Sequence, residues 1–280
     1  MPLLKPSSSP AVPTRENEGH STRTSLLCLF RIPRSSYENR RAPIWIGFLL
    51  ALLGASLGIK ARPAAAQTGL STESGVFLIR SGDRRIGTER FLIRRSSSGW
   101  EAQGELQLDL PGGARTSETS SLRTDGRWKP TSYERQQQSP KKGNLTVEFR
   151  AVETKLLSKN EAGTEELIFY LPEHDLVILD TNFFHQYALL LRQYDASRPG
   201  PQNFSVFVPQ EATPAMISLT RVGKDNLRIN EVALELDHFQ AATEDIKIEI
   251  WATPEGEIQR IEIPQARLEI VRQDPARRSN

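Results

Sequence analysis

Beyond residue 66 apolar side chains recur at every second position. Leu106, Leu108 and Leu110 alternate with Glu105, Gln107 and Asp109. The same beat returns in Leu145, Val147 and Phe149, in Phe204, Val206 and Val208, in Ile246, Ile248 and Ile250, and in Leu268 and Ile270. Each run predicts a strand with one apolar and one solvated face, the pattern of antiparallel sheet covered on a single side. Turn-forming clusters part the runs at hairpin spacing, among them Ser81-Gly82-Asp83, Pro111-Gly112-Gly113, Lys142-Gly143-Asn144 and Pro254-Glu255-Gly256. About a dozen strands follow from that spacing. Within Leu227–Phe239 the phase changes, with Leu227 and Ile229 on one parity and Val232, Leu234 and Leu236 on the other. Such a slip predicts a bulge near Asn230 that bends one long strand.

One segment keeps a different period. In LDTNFFHQYALLLRQYD, residues 179–195, Phe183, Phe184, Tyr187, Leu190, Leu191 and Tyr194 fall on one stripe of an α-helix. Asp180 or Thr181 offers a cap at its start, and Pro199-Gly200-Pro201 stops the chain from continuing as helix. His185 falls on the polar side of that helix. A helix of about 14 residues is ~21 Å long and ~10 Å wide, whereas a dozen strands at ~4.8 Å make a sheet roughly 50 Å across. One such helix cannot shelter the apolar face. The fold class expected is therefore mostly β: a curled antiparallel sheet, half-barrel or barrel-like, with one amphipathic helix. Its concave side either holds an apolar or amphipathic ligand or is filled by its own side chains.

Charge divides the chain in two. The 280 residues carry a formal net charge of +2, but 9 basic and 3 acidic residues precede position 67, leaving 27 basic and 31 acidic after it. So small a charge excess gives no reason to expect nucleic acid as a partner. The basic front ends in RRAPIWIGFLLALLGASLGIKARPAAAQ, where Arg40-Arg41, an apolar core from Ile44 to Ile59 and the small residues Ala64–Ala66 have the layout of a secretory signal. Export to the periplasm or medium, with cleavage near Ala66, is the expectation; an uncleaved membrane anchor at Ile44–Ile59 is its alternative. Residues 1–39, rich in Ser, Pro and Arg, read as a disordered or mis-started extension, 40–66 as the signal, 67–273 as a single β-rich domain and 274–280 as a disordered tail. Cys28, the sole cysteine, precedes the cleavage point, so the exported domain has neither disulfide nor thiol chemistry.

Motifs for catalysis are missing. No G-x-S-x-G, P-loop, G-x-G-x-x-G or H-E-x-x-H occurs, and neither His174, His185 nor His238 has a second ligand at metal-binding spacing. No catalytic, cofactor or metal residue is expected. His174, beside Glu173 and Asp175, reads as part of a polar turn, and His238 as a rim or core histidine continuing the parity of Val232, Leu234 and Leu236. Trp100 and Trp128 follow turns and suit a barrel rim; Trp251 faces opposite to Ile250.

VFLIRSGDRRIGTERFLI, LVILDTNFF and the closing IEIWATPEGEIQRIEIP resemble exported bacterial families of unknown function built on a curved antiparallel half-barrel. The resemblance implies that fold and brings no catalytic residues. In architecture alone it is similar to periplasmic lipoprotein and lipopolysaccharide carriers, which implies an amphipathic, lipid-like ligand. On this reading Phe183, Tyr187, Leu191, Leu234, Leu236 and His238 line the ligand site. The competing reading is an envelope structural protein that docks a partner chain through a sheet edge or face.

Overall fold

The structure, a computed structural model, describes residues 72–109 and 112–273. The extension 1–39 with Cys28, the signal at 40–66, Leu110 and the tail 274–280 lie outside the described residues. Among the described residues fifteen strands form one sheet. The first eight are β1 (Glu73–Ser81), β2 (Arg84–Arg95), β3 (Gly99–Asp109), β4 (Arg115–Asp125), β5 (Pro130–Ser139), β6 (Gly143–Phe149), β7 (Thr154–Asn160) and β8 (Gly163–Phe169). After β9 (Leu176–Ile178) comes a 3-10 turn, Phe184–Gln186, and the helix α1 (Tyr187–Leu191). The chain then returns through β10 (Gln202–Val208), β11 (Thr213–Ile229), β12 (Val232–Ala242), β13 (Lys247–Ala252), β14 (Ile258–Ile263) and β15 (Leu268–Arg272).

Two meanders share one seam. Strands β8 back to β1 run in order across half the sheet, and β15 back to β9 across the other half, joined where β1 pairs antiparallel with β15. Among the described strands only β9 lies parallel to its neighbour, β10. Residues paired across strands share a face, so the alternation seen in the sequence becomes rows. One inner row runs Phe239, Ile250, Ile261, Ile270, Ile79 and on to Leu108, interrupted only by Gly87. A second runs Ile93, Ala102, Leu122, Tyr133, Val147 and Leu156. Nearly all these side chains are buried. The sheet buries them by curling over itself, as the area mismatch required.

The curl stops short of closure. No backbone pairing links β8 to β9, and their outer edges stay free. The two ends of the sheet meet through side chains: the rings of Phe169 on β8 and Phe207 on β10 lie 4.9 Å apart. Phe207 is fully buried although it faces away from Phe204 and Val206, which are buried too, so β10 is covered on both faces.

Three expectations are corrected. The phase change near Asn230 is no bulge: Asn230 and Glu231, both at positive φ (46° and 69°), form the two-residue turn of a hairpin between β11 and β12. The slip in register sits instead at Val222, between Arg221 and Gly223. Past that slip the hairpin folds onto the sheet's outer face, where Ile229, Leu234, Leu236 and Trp251 make a second, smaller core. Asn230 Nδ2 ties the tip to the carbonyl of Arg272 at 2.8 Å. The helix is also shorter than its stripe, because Phe183 to Leu191 are buried on every side and leave no solvated face to extend. His185 is therefore 0% exposed rather than a surface residue.

Candidate functional site

The segment Leu176–Leu191 plugs the curled sheet, and buried charges on the sheet's inner face moor it. On β2, Glu89 shares inward parity with Phe91 and Ile93. Its carboxylate accepts the Phe184 backbone N–H at 2.9 Å and contacts His185 Nδ1 at 2.5 Å, both side chains being fully buried. The imidazole lies hard against β3 because position 104 is glycine; a Cβ there would stand 2.6 Å from His185 Cε1. A second mooring gathers at Asp180. Its carboxylate accepts the Tyr133 hydroxyl at 2.6 Å and the Gln210 backbone N–H at 2.8 Å, while its own backbone N–H donates to Gln186 Oε1 at 2.6 Å. Arg135, 3.9 Å away, is held by Glu118 at 2.5 Å. Burial pushes the Asp180 carboxyl above its ordinary range against the pull of Arg135 and its hydrogen bonds, and burial beside Asp180 raises the Tyr133 hydroxyl well above its own. The third mooring closes the plug: Glu73 binds Arg192 and, at 3.0 Å, Arg272.

Two hollows flank the plug at opposite ends of the same strands. The first, of about 50 Å³, lies between Phe183, Phe184 and Tyr187 on one side and Val206, Val208, Ile217 and Ile248 on the other. Met216, 46% exposed, stands at its edge. The second, of about 290 Å³, lies where the plug leaves the sheet, among Trp128, Leu191, Arg192, Tyr194, Arg221 and Phe239. Fully buried Leu190, Leu219, Ala241 and Ile250 fill the space between. A third groove, of about 530 Å³, is wide and polar, bounded by the amides of Gln136–Gln138, Asn144 and Asn160 and by Lys142 and Lys159.

The six expected ligand residues divide. Phe183 and Tyr187 line the first hollow and Leu191 the second. Leu234, Leu236 and His238 share a parity, as expected, but that parity is the outer face. His238 pairs with Trp251, opposite in facing to the inner Phe239 and Ile250, and stacks on its ring at 4.6 Å. Its two nitrogens meet Asp225 at 3.0 Å and Glu249 at 2.9 Å. His174 lies in the exposed turn before β9, so the three described histidines occupy three separate places.

Residues missed in the sequence are the buried charges Glu73, Glu89, Glu118, Arg135, Arg192 and Arg272; Asp180 was expected as a helix cap, but neither the 3-10 turn nor α1 has a side-chain cap, and its carboxylate is buried as a mooring instead. A signal for them existed. Glu89 sits in phase with Phe91 and Ile93, Arg135 with Tyr133, and Arg272 with Leu268 and Ile270. A charge on the inward beat is either an interrupted strand or a buried pair, and here it is the pair.

No protein-family model matches the chain, and no curated protein matches it in sequence. Solved structures do resemble it. A DUF1089 family protein from Pseudomonas aeruginosa, 12% identical, gives a TM-score of 0.40 over 74% of this chain and 95% of that one, too low to carry an argument. The crystal structure of a β-barrel-like protein of domain of unknown function DUF1849 from Brucella abortus gives 0.51 at 9% identity, over 72% of this chain and 95% of that one. At that identity the likeness is one of fold alone, between this chain's curled sheet and the β-barrel-like DUF1849 protein.

Proposed function

We propose that the chain is an exported binding module that takes the apolar end of an amphipathic, lipid-like ligand into the first hollow. The observation that carries this reading is the lining itself: aromatic and aliphatic side chains from the plug face those of β10, β11 and β13 across a space with Met216 at its edge. At about 50 Å³ the hollow admits little more than the tip of a chain. Export rests on the tripartite segment at 40–66.

The test is displacement of a fluorescent acyl probe, with native mass spectrometry for co-purifying lipid. Probe uptake that Ala215→Trp abolishes by filling the hollow supports the reading; no lipid and no uptake refutes it. A second reading, docking of an envelope partner, rests on the free edge of β8, flanked by Ile168 (42% exposed), Tyr170 (77%) and Val152 (78%). Cross-linking from Tyr170 that returns one protein repeatedly favours it.

A further inference from the structure

The second hollow has different chemistry. Arg192 forms part of its lining, yet its side chain is only 7% exposed. Arg192 binds Glu73, while its Nε and Nη1 have no hydrogen-bond partner. Aromatic faces cover the guanidinium instead, with Trp128 5.4 Å and Trp100 6.0 Å from it. Unspent donors in so dry a place are costly unless something accepts from them.

Arg192 and Arg272 both bind Glu73, and all three side chains are buried to within a few per cent. Arg192 thus brings a buried guanidinium with two unspent donors to the wall of the hollow. At the mouth, Arg221 adds a second guanidinium whose partner is Asp237 at 2.5 Å. Glu255 and Glu257, on the loop after β13, are the other acidic groups close by. Burial lowers the Arg192 guanidinium below its ordinary value, against the opposing pull of Glu73 and Glu257.

The remaining walls are flat and apolar: Trp128, Tyr194 and Phe239, with the last two rings in edge contact at 5.5 Å. At about 290 Å³ the space is near the lower end of small-molecule sites. We propose that this hollow binds a small carboxylate carried on a flat apolar body, with Arg192 as its anchor and Arg221 at its rim. A planar guanidinium fork suits a carboxylate better than an ammonium would. Nε and Nη1 are buried, so binding must shift the side chains around them, Trp128 and Trp100 included, and registers in tryptophan fluorescence. Trp128 holds a φ of +69°, rare for so bulky a residue. This site shares no lining residue with the apolar hollow, and the proposal stands or falls independently of it.

The experiment compares 4-fluorobenzoate with its neutral amide, 4-fluorobenzamide, on the full chain, by fluorine NMR line broadening and tryptophan fluorescence at millimolar concentration. Expected is a response to the benzoate and none to the amide. Replacing the buried pair together, Glu73→Gln with Arg192→Gln, avoids stranding one charge and is expected to weaken binding at least tenfold, and Arg221→Gln about three- to tenfold. If the double variant does not fold, Ala196→Trp, at an exposed position on the rim, narrows the hollow without touching the charges and is expected to abolish the response. An equal response to the amide overturns the proposal. So does silence towards both probes, or a benzoate response that survives Ala196→Trp.

Discussion

Glu89 and His185 illustrate how much a single position can decide. The carboxylate holds two groups of the plug at once, and the imidazole fits only because residue 104 lacks a side chain. Gly104→Ala would put a methyl 2.6 Å from His185 Cε1 and 3.0 Å from the Phe183 ring. The expected loss is about 1–3 kcal/mol, read from the urea unfolding midpoint. Tyr133 and Tyr187 supply a pH prediction. Burial raises both hydroxyls above their ordinary value of 10.0, so the folded state keeps protons that the unfolded chain gives up. Stability from these groups is complete below pH 10 and declines as pH rises further. Tyrosinate absorbance of the two is therefore expected to appear together with the loss of near-UV circular dichroism. Ionisation well before unfolding would contradict their burial. Tyr133→Phe removes one of these titrations, at the cost of the 2.6 Å bond to Asp180.

At the scale of elements, period two was legible nearly everywhere, because strands covered on one face must alternate. The runs of Leu106 to Leu108, Phe204 to Val208 and Ile246 to Ile250 all became strands or their approaches. The plug was legible as a stripe of Phe and Leu but not as a plug. Its far side, His185 and Gln186, is polar, and only the sheet's hidden Glu89 and the Asp180 backbone explain why those groups can be buried. Asn230-Glu231 was misread because a two-residue turn and a one-residue bulge both flip parity. That error carried Leu234, Leu236 and His238 to the wrong face. The hairpin that holds them makes its own prediction. Leu236→Ala, in the small outer core with Leu234 and Trp251, should cost about 2–4 kcal/mol and speed amide exchange in Val232–Leu236. Acyl-probe and benzoate responses should stay unchanged, since neither hollow includes this cluster.

Over the whole molecule, one argument from areas anticipated the curl: too much apolar sheet for one helix. What areas could not reveal was how the concave side is used, since that depends on charges that hydrophobic patterning passes over. The sheet encloses a tethered segment of its own chain and leaves a hollow at each end of it. Removing β15 by truncation after Pro264 would strip β1 and β14 of their partner and Glu73 of Arg272. The expected product is insoluble or aggregated by size-exclusion chromatography; a soluble monomer with native circular dichroism would show that the two meanders stand alone.

The pairing of β1 with β15 also sets an order in time. The first strand to be made waits for the last, and the intervening chain must be complete before the central ladder can zip. Until Leu268–Arg272 arrives, β1 and β14 lack the shared neighbour that joins the two meanders, so the contacts at the seam are among the longest in sequence that the fold makes.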